Sequence, residues 1–120
     1  MASRKPALSR IELLQGTLDL IILQTLRWGP RHGYDLLQFI RTTSRGVLDV
    51  DTGSLYPALH RLEAQGVVAA AWETSPKGQR VRMYRLTRAG QRRLAVEQTR
   101  WERLTGAIAA IAAPPAAGEA

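Results

Sequence analysis

Apolar residues recur at spacings of three and four along four segments of the chain, and this period predicts four helices. We expect the first to begin near Arg10, the second to cover about 33–43, the third to start at Asp51 or Thr52 and stop at Gly66, and the fourth to run from Arg88 to about 113. Residues 67–73 and 80–86 change to a period of two, which predicts two strands joined by a turn. The segment 47–50 is predicted to add one short strand. This order predicts a mainly α fold with a small β-hairpin (α+β), arranged as a winged helix-turn-helix.

The third predicted helix has two chemically different faces. One is an apolar stripe made of Leu55, Ala58, Leu59 and Leu62. The other carries Gly53, Pro57, His60 and Ala64, with Tyr56 and Arg61 along its borders. A helix that docks by leucines and presents small, aromatic and basic groups fits the DNA major groove. The alternative is an ordinary amphipathic helix with a solvated outer face. Pro57 interrupts the helical bonding, so we expect a later start or an irregular first turn.

The predicted hairpin is basic at its tip and on one side. Its cationic residues are Lys77, Arg80, Arg82 and Arg85. Such a wing suits the DNA backbone or minor groove, and Lys77, Gln79 and Arg80 are our candidates for that contact. For Arg82 and Arg85 a solvated surface charge is an equally good interpretation.

The fourth helix carries the rhythm of a helix–helix seam. Its apolar positions are Leu94, Trp101, Leu104, Ile108 and Ile111. So long a stripe exceeds what a small domain can cover, and the first helix is apolar over more than half of its circumference. We therefore expect the two to pair between two copies of the chain, as a homodimer. Trp28 and Trp72 are predicted to be structural.

Composition narrows the function. The 120 residues support one domain, and a net charge of +7 favours a polyanionic partner, either nucleic acid or an acidic membrane surface, although it can also serve solubility alone. No apolar run reaches the length of a membrane span, and the first residues lack a signal peptide's apolar core. We expect a cytoplasmic protein without a membrane, metal or cofactor. There is no cysteine, and the phosphate-binding and nucleophile motifs of enzymes do not occur, so we expect no enzyme activity.

Five separated motifs also carry a resemblance to a known family. They are 16–23 (GTLDLIIL), 32–34 (HGY), 53–63 (GSLYPALHRLE), 66–68 (GVV) and 84–90 (YRLTRAG). In this order, from about Leu14 to Ile111, they resemble the PadR family of bacterial transcriptional regulators, in its shorter subgroup with a single C-terminal helix. The resemblance implies a homodimeric repressor that binds an inverted-repeat operator in double-stranded DNA and often responds to a small aromatic effector. It also implies that Pro57 is tolerated within the third helix.

The resemblance assigns candidate DNA contacts. In the recognition helix they are Ser54, Tyr56, Pro57, His60 and Arg61; at the start of the second helix they are His32, Gly33 and Tyr34, where free amides favour phosphate. Three alternatives stay open: an ion pair for Arg61, an inward position for Tyr56, and packing of Tyr34 against Leu59.

A ligand slot between subunits is implied around Trp101, with Leu14, Leu18 or Glu97 as neighbours. The alternative is a tryptophan that fills the dimer core. The resulting organisation is a flexible N-terminus at 1–8, a DNA-binding domain at 9–86, a dimerisation helix at 87–113 and a disordered tail at 114–120. Two rival functions remain: a nonspecific architectural DNA binder and a winged-helix protein-interaction module.

Overall fold

The computed structural model describes residues 15–115. Its elements are α1 (Gln15–Leu26), β1 (Arg31–His32), α2 (Gly33–Thr43), α3 (Thr52–Ala64), β2 (Val68–Thr74), β3 (Arg80–Leu86) and α4 (Arg88–Ala112). The predicted α+β winged helix-turn-helix is confirmed, and the predicted bounds of α2, β3 and α4 agree with those observed to within a residue. The start of the first helix near Arg10, the N-terminus 1–8 and residues 116–120 of the predicted tail lie outside the described residues.

The sheet has three antiparallel strands in the order β1-β3-β2. Its third strand is β1, which pairs Arg31 with Tyr84 and His32 with Met83. The predicted strand at 47–50 is not part of this sheet and is reduced to a single bridge residue, Leu48. The 47–50 segment instead connects two helices: Val50 is buried in the core, and Asp49 forms an ion pair with Arg41 at 2.9 Å.

Side-chain caps fix where the helices begin. The Asp51 carboxylate accepts a hydrogen bond from the Ser54 amide at 2.9 Å, and the Thr87 hydroxyl accepts one from the Gly90 amide at 3.0 Å. Each cap satisfies an amide that has no partner within its helix. Asp51 is thereby identified as the N-cap of α3 and Thr87 as that of α4.

Pro57 lies within α3, which begins at Thr52 and continues past the proline without a break. Neither the later start nor the irregular first turn is observed. The carbonyl that loses its helical partner belongs to Gly53, and both Gly53 and Pro57 are exposed. Water can therefore satisfy that carbonyl, which reduces the cost of an interior proline.

The core lies where the three N-terminal helices meet the hairpin and the start of α4. Its fully buried side chains include Ile22, Leu23, Leu36, Leu55, Leu59, Leu62, Val68 and Tyr84. The predicted apolar stripe of α3 is confirmed as part of it. Leu94 is also buried against this core, so its assignment to the dimer seam was wrong. The reason is its place in the first two turns of α4, which still lie on the domain.

Candidate nucleic-acid interface

The start of α2, the outer side of α3 and the hairpin enclose an open groove of about 820 Å³. The predicted DNA-binding residues that line it are His32, Gly33, Tyr34, Tyr56, His60, Lys77, Gln79 and Arg80. Ser54 and Pro57 lie on the same helix outside this lining. Residues separated by more than forty positions in the sequence therefore share one concave surface, whose lining contains no acidic side chain.

At the start of α2, the His32 side chain caps the helix. Its Nδ1 accepts a hydrogen bond from the Asp35 amide at 3.2 Å. Asp35 in turn forms an ion pair with Arg31 at 3.2 Å. Histidine at this position therefore has a local structural role, and the amide of Asp35 is already satisfied.

Tyr56 and Gly33 join the two helices of the groove. A Cβ at residue 33 would collide with the Tyr56 hydroxyl and would lie 2.7 Å from its Cε1 atom. Only glycine leaves room for the ring there. Tyr56 is half-buried, close to the inward alternative, whereas Tyr34 is 64% exposed and does not take the alternative position in the core.

Arg61 is directed to a carboxylate within the domain. Its guanidinium forms an ion pair with Asp19 of α1, a residue that is only 4% exposed. Arg93 of α4 approaches the same carboxylate at 3.8 Å. A desolvated carboxylate needs such partners, and it competes with DNA for the Arg61 side chain. Arg61 therefore takes the alternative that the sequence left open, an ion pair within the domain. Its assignment as an outward-facing DNA contact was wrong.

The tip of the hairpin is a tight turn with exposed cations. The Ser75 carbonyl accepts a hydrogen bond from the Gly78 amide at 2.8 Å, and Gly78 has a φ of 81°, which favours glycine. Lys77, Gln79 and Arg80 are all exposed around this turn.

The remaining wing arginines form ion pairs: Arg85 stays an exposed surface charge, as one interpretation expected, whereas Arg82 is partly buried. Arg82 contacts Glu63 of α3 at 2.9 Å, and Arg85 contacts Glu73 across the hairpin at 2.7 Å. Trp72 was predicted to be structural, but 54% of its surface is exposed, and it lines the groove. Its pairing with Arg82 in the ladder was the signal that could have placed it there.

Tyr84 forms part of the groove's floor. Its desolvation raises the pKa of the phenol above 10.0, and the nearby charge of Arg82 opposes this shift. The Tyr84 phenol is therefore neutral at neutral pH.

Trp101 lines two concavities between α4 and the N-terminal helices. One, of about 450 Å³, includes Leu20, Glu97 and Leu104; the other, of about 410 Å³, includes Trp28 and Phe39. Leu18 is buried in the core and lines neither, so its assignment to the ligand slot was wrong, and Leu14 lies outside the described residues. Glu97 is paired with Arg93 at 3.4 Å.

Trp28 was also predicted to be structural, yet it is 66% exposed. It lies two residues after the end of α1, in the turn to β1, and the Arg27 guanidinium carbon lies 5.1 Å from the centre of its ring.

Comparison with known proteins decides the family. The model of the transcriptional regulator PadR-like family matches residues 22–96, which is more than half of the chain. The chain belongs to the PadR-like family. The resemblance seen in the motifs is thereby confirmed, and the groove lies within the residues that the family model matches.

Solved structures of transcriptional regulators show the same fold. A transcriptional regulator from Clostridium thermocellum is 27% identical, with 82% of this chain and 96% of that chain covered and a TM-score of 0.74. A PadR-like transcription factor from Bacteroides fragilis is 30% identical, with 82% and 92% covered and a TM-score of 0.67. A PadR family transcriptional regulator from Eggerthella lenta is 33% identical, with 82% and 80% covered and a TM-score of 0.65.

Membrane spans and metal clusters are absent from the part of this PadR-like chain that the structure describes. Within residues 15–115 no helix combines the length and hydropathy needed to cross a membrane. No cluster of three His, Asp or Glu side chains in the same range could hold a metal ion.

Proposed function

We propose that the chain is a homodimeric transcriptional repressor that binds an inverted-repeat operator through the groove face of each copy. The observation that carries this proposal is the acid-free groove, where the outer face of α3, the start of α2 and the basic turn meet. DNA is a polyanion with a groove that admits one helix, so this surface matches it in charge and shape.

In the proposed complex, α3 enters the major groove and the wing lies along the adjoining backbone. Tyr56 and His60 of α3 face the bases, together with Ser54 and Pro57. His32, Gly33 and Tyr34 at the start of α2 lie along the same side of the operator. Arg61 acts indirectly, since its ion pair with Asp19 fixes the orientation of α3.

At the wing, Lys77, Gln79 and Arg80 contact the backbone. Arg80 and Lys77 are exposed cations beside the groove, and such residues usually contact phosphate.

The second half of α4 supplies the dimer contact. Its stripe of Trp101, Leu104, Ile108 and Ile111 is between 40% and 84% exposed. A contiguous apolar stripe of this kind is typical of a surface that pairs with another molecule. A second copy covers it and sets the spacing of the two recognition helices.

A small planar aromatic effector is the proposed ligand of this dimer. Trp101 supplies the flat surface for stacking, and Glu97 and Leu104 lie beside it. Binding between two copies changes the angle between them, and this releases the operator. Repression follows when the dimer covers promoter DNA.

The test is a titration of the full chain against DNA from its own upstream region and a scrambled duplex, each at two salt concentrations. We expect one dimer per operator and tighter binding to the native fragment. Equal affinities with steep salt dependence would instead indicate an architectural binder. Absence of binding to either duplex would favour the protein-interaction module.

Substitutions in the groove test which of its residues contact DNA. We expect His60→Ala to reduce discrimination between the two duplexes by about 1–3 kcal/mol, as for a direct base contact. The combined Lys77→Ala and Arg80→Ala variant is expected to weaken both duplexes and to flatten the salt dependence by about 0.9 for each phosphate that is no longer neutralised. Gln91→Ala, at an exposed position of α4 outside the groove lining, is the control and should change neither quantity.

A further inference from the structure

One face of the hairpin runs from the core into the groove. Because paired residues share a face of a sheet, the register Val68↔Leu86, Ala70↔Tyr84, Trp72↔Arg82 and Thr74↔Arg80 defines it. At its inner end Val68 and Tyr84 are buried beneath α3. At its outer end, beyond the core, the same face carries Trp72, Arg80 and Arg82, and all three line the groove.

Both arginines lie against the same indole. The guanidinium carbon of Arg80 is 5.0 Å from the centre of the Trp72 ring, and that of Arg82 is 5.6 Å from it. These distances are within the range of favourable cation–π contacts, for which tryptophan is the best aromatic partner. The ring therefore restricts two long side chains that would otherwise sample many rotamers.

The two arginines differ in their other contacts. Arg82 is also tied to Glu63 of α3 at 2.9 Å, which uses its charge within the protein. Arg80 is at the outer end of the strand, beside the turn that carries Lys77. Its exposed guanidinium, held on the indole, faces the groove and can still donate to a phosphate oxygen.

We propose that Trp72 is a positioning residue for DNA binding: its indole holds the Arg80 guanidinium in the orientation that contacts the DNA backbone. This inference rests on the proposed function and adds a residue to its machinery. Trp72 touches the arginine, and the arginine touches DNA. The ordering of Arg80 precedes binding, so less conformational entropy is lost when the complex forms.

A double-mutant cycle on operator affinity separates positioning from other roles. We expect Trp72→Leu to weaken binding about two- to fivefold, the size of one exposed cation–π contact. In an Arg80→Ala background the same change should have almost no further effect. Trp72→Phe should recover part of the loss, because phenylalanine is a weaker cation–π partner.

The salt dependence distinguishes the two changes further. Trp72→Leu removes no charge and should leave the salt slope unaltered, while Arg80→Ala should reduce it by about 0.9. Arg85→Ala is the charge-matched control, because Arg85 lies on the opposite face of β3 and pairs with Glu73. It should change affinity less than Arg80→Ala does.

A measurement on the free protein tests the contact without DNA. We expect the Arg80 side-chain protons to resonate upfield from the ring current of Trp72, and to return to ordinary positions in Trp72→Leu. Ordinary positions in the wild-type protein would overturn the proposal. The proposal would also be overturned if Trp72→Leu weakened operator binding as much in the Arg80→Ala background as in the wild-type protein. That result would mean that the indole acts on DNA directly. Failure of the wild-type protein to bind DNA would refute the proposed function and the proposed role together, while leaving the ring-current result as a separate observation.

Discussion

The winged domain and the second half of α4 carry the same types of apolar residue, but these are buried in the domain and exposed on α4. In the domain, Leu59 and Leu62 of α3 are fully buried, and Leu94 at the start of α4 is 4% exposed. Further along the same helix, Ile108 is 55% exposed and Ile111 is 84% exposed. The same helical spacing of apolar residues therefore occurs in two environments. At the start of α4 it contributes to the core of the domain, and further along α4 it forms a stripe that is exposed within a single copy of the chain.

Length explains where the change occurs. A helix of 25 residues extends about 37 Å at 1.5 Å per residue, and its buried residues, Gly90 and Leu94, lie in its first two turns. Spacing along a helix fixes which residues share a face. It does not fix which molecule that face meets. Substitutions in the core, at the boundary and in the exposed stripe test this difference between the two regions.

The largest effect is expected in the closed core. We expect Leu59→Ala to lower the free energy of unfolding by about 2–5 kcal/mol, because the missing methyl groups leave a cavity under α3. Urea denaturation measures it. His60→Ala, at the exposed neighbouring position, is the control and should change the value by less than about 0.5 kcal/mol. Equal losses from the two variants would contradict the assignment of faces in α3.

At the boundary, Asp19 joins the domain to the base of α4 through Arg61 and Arg93. We expect Asp19→Asn to cost about 1–3 kcal/mol, less than a fully buried pair because both arginines retain contact with water. Glu73→Gln breaks the exposed pair with Arg85 and should cost less than about 1 kcal/mol. Denaturant midpoints compare the two variants. A smaller loss for Asp19→Asn than for Glu73→Gln would show that the buried carboxylate does not anchor α4.

In the exposed stripe, the expected change is in association rather than in folding. Ile108→Glu places a charge in the proposed helix contact, and we expect self-association to weaken at least about tenfold, or 1.4 kcal/mol. Sedimentation over a range of concentrations measures it. Arg103→Glu, a charge change elsewhere on the same helix, serves as the control. Unchanged association in Ile108→Glu would remove this stripe from the dimer contact.

Local signals in the sequence were enough to predict most of the architecture. The α3 stripe, the period of two in the hairpin and the caps at Asp51 and Thr87 act within a few residues, so periodicity and capping chemistry reveal them. The third strand is different, because β1 has only two residues and exists through its pairing with β3. No period can be recognised in so short a segment.

Side-chain partners were harder to predict because they depend on distant positions. Arg61 meets Asp19 across 42 residues, and its place at the border of the helical face permitted either direction. Trp72 was misassigned for a similar reason: its exposure follows from where the hairpin extends past α3. Leu94 was misassigned because a helical period does not distinguish the chain's own core from a partner, and Leu18 was assigned to the ligand slot by the family resemblance although it is buried in the core.

The smallest expected effect concerns pH and again separates the two regions. Burial raises the pKa of Tyr84 above 10.0, the value expected in the unfolded chain. Its neutral form is thus favoured by folding, and the contribution is complete below pH 10 and is lost as the pH rises through the folded-state pKa. We expect the free energy of unfolding to fall above about pH 10 and to fall less steeply in Tyr84→Phe. Since Tyr84 belongs to the closed core, the difference between the wild-type protein and Tyr84→Phe should not depend on protein concentration. A difference that vanished on dilution would show that the burial of Tyr84 depends on the dimer.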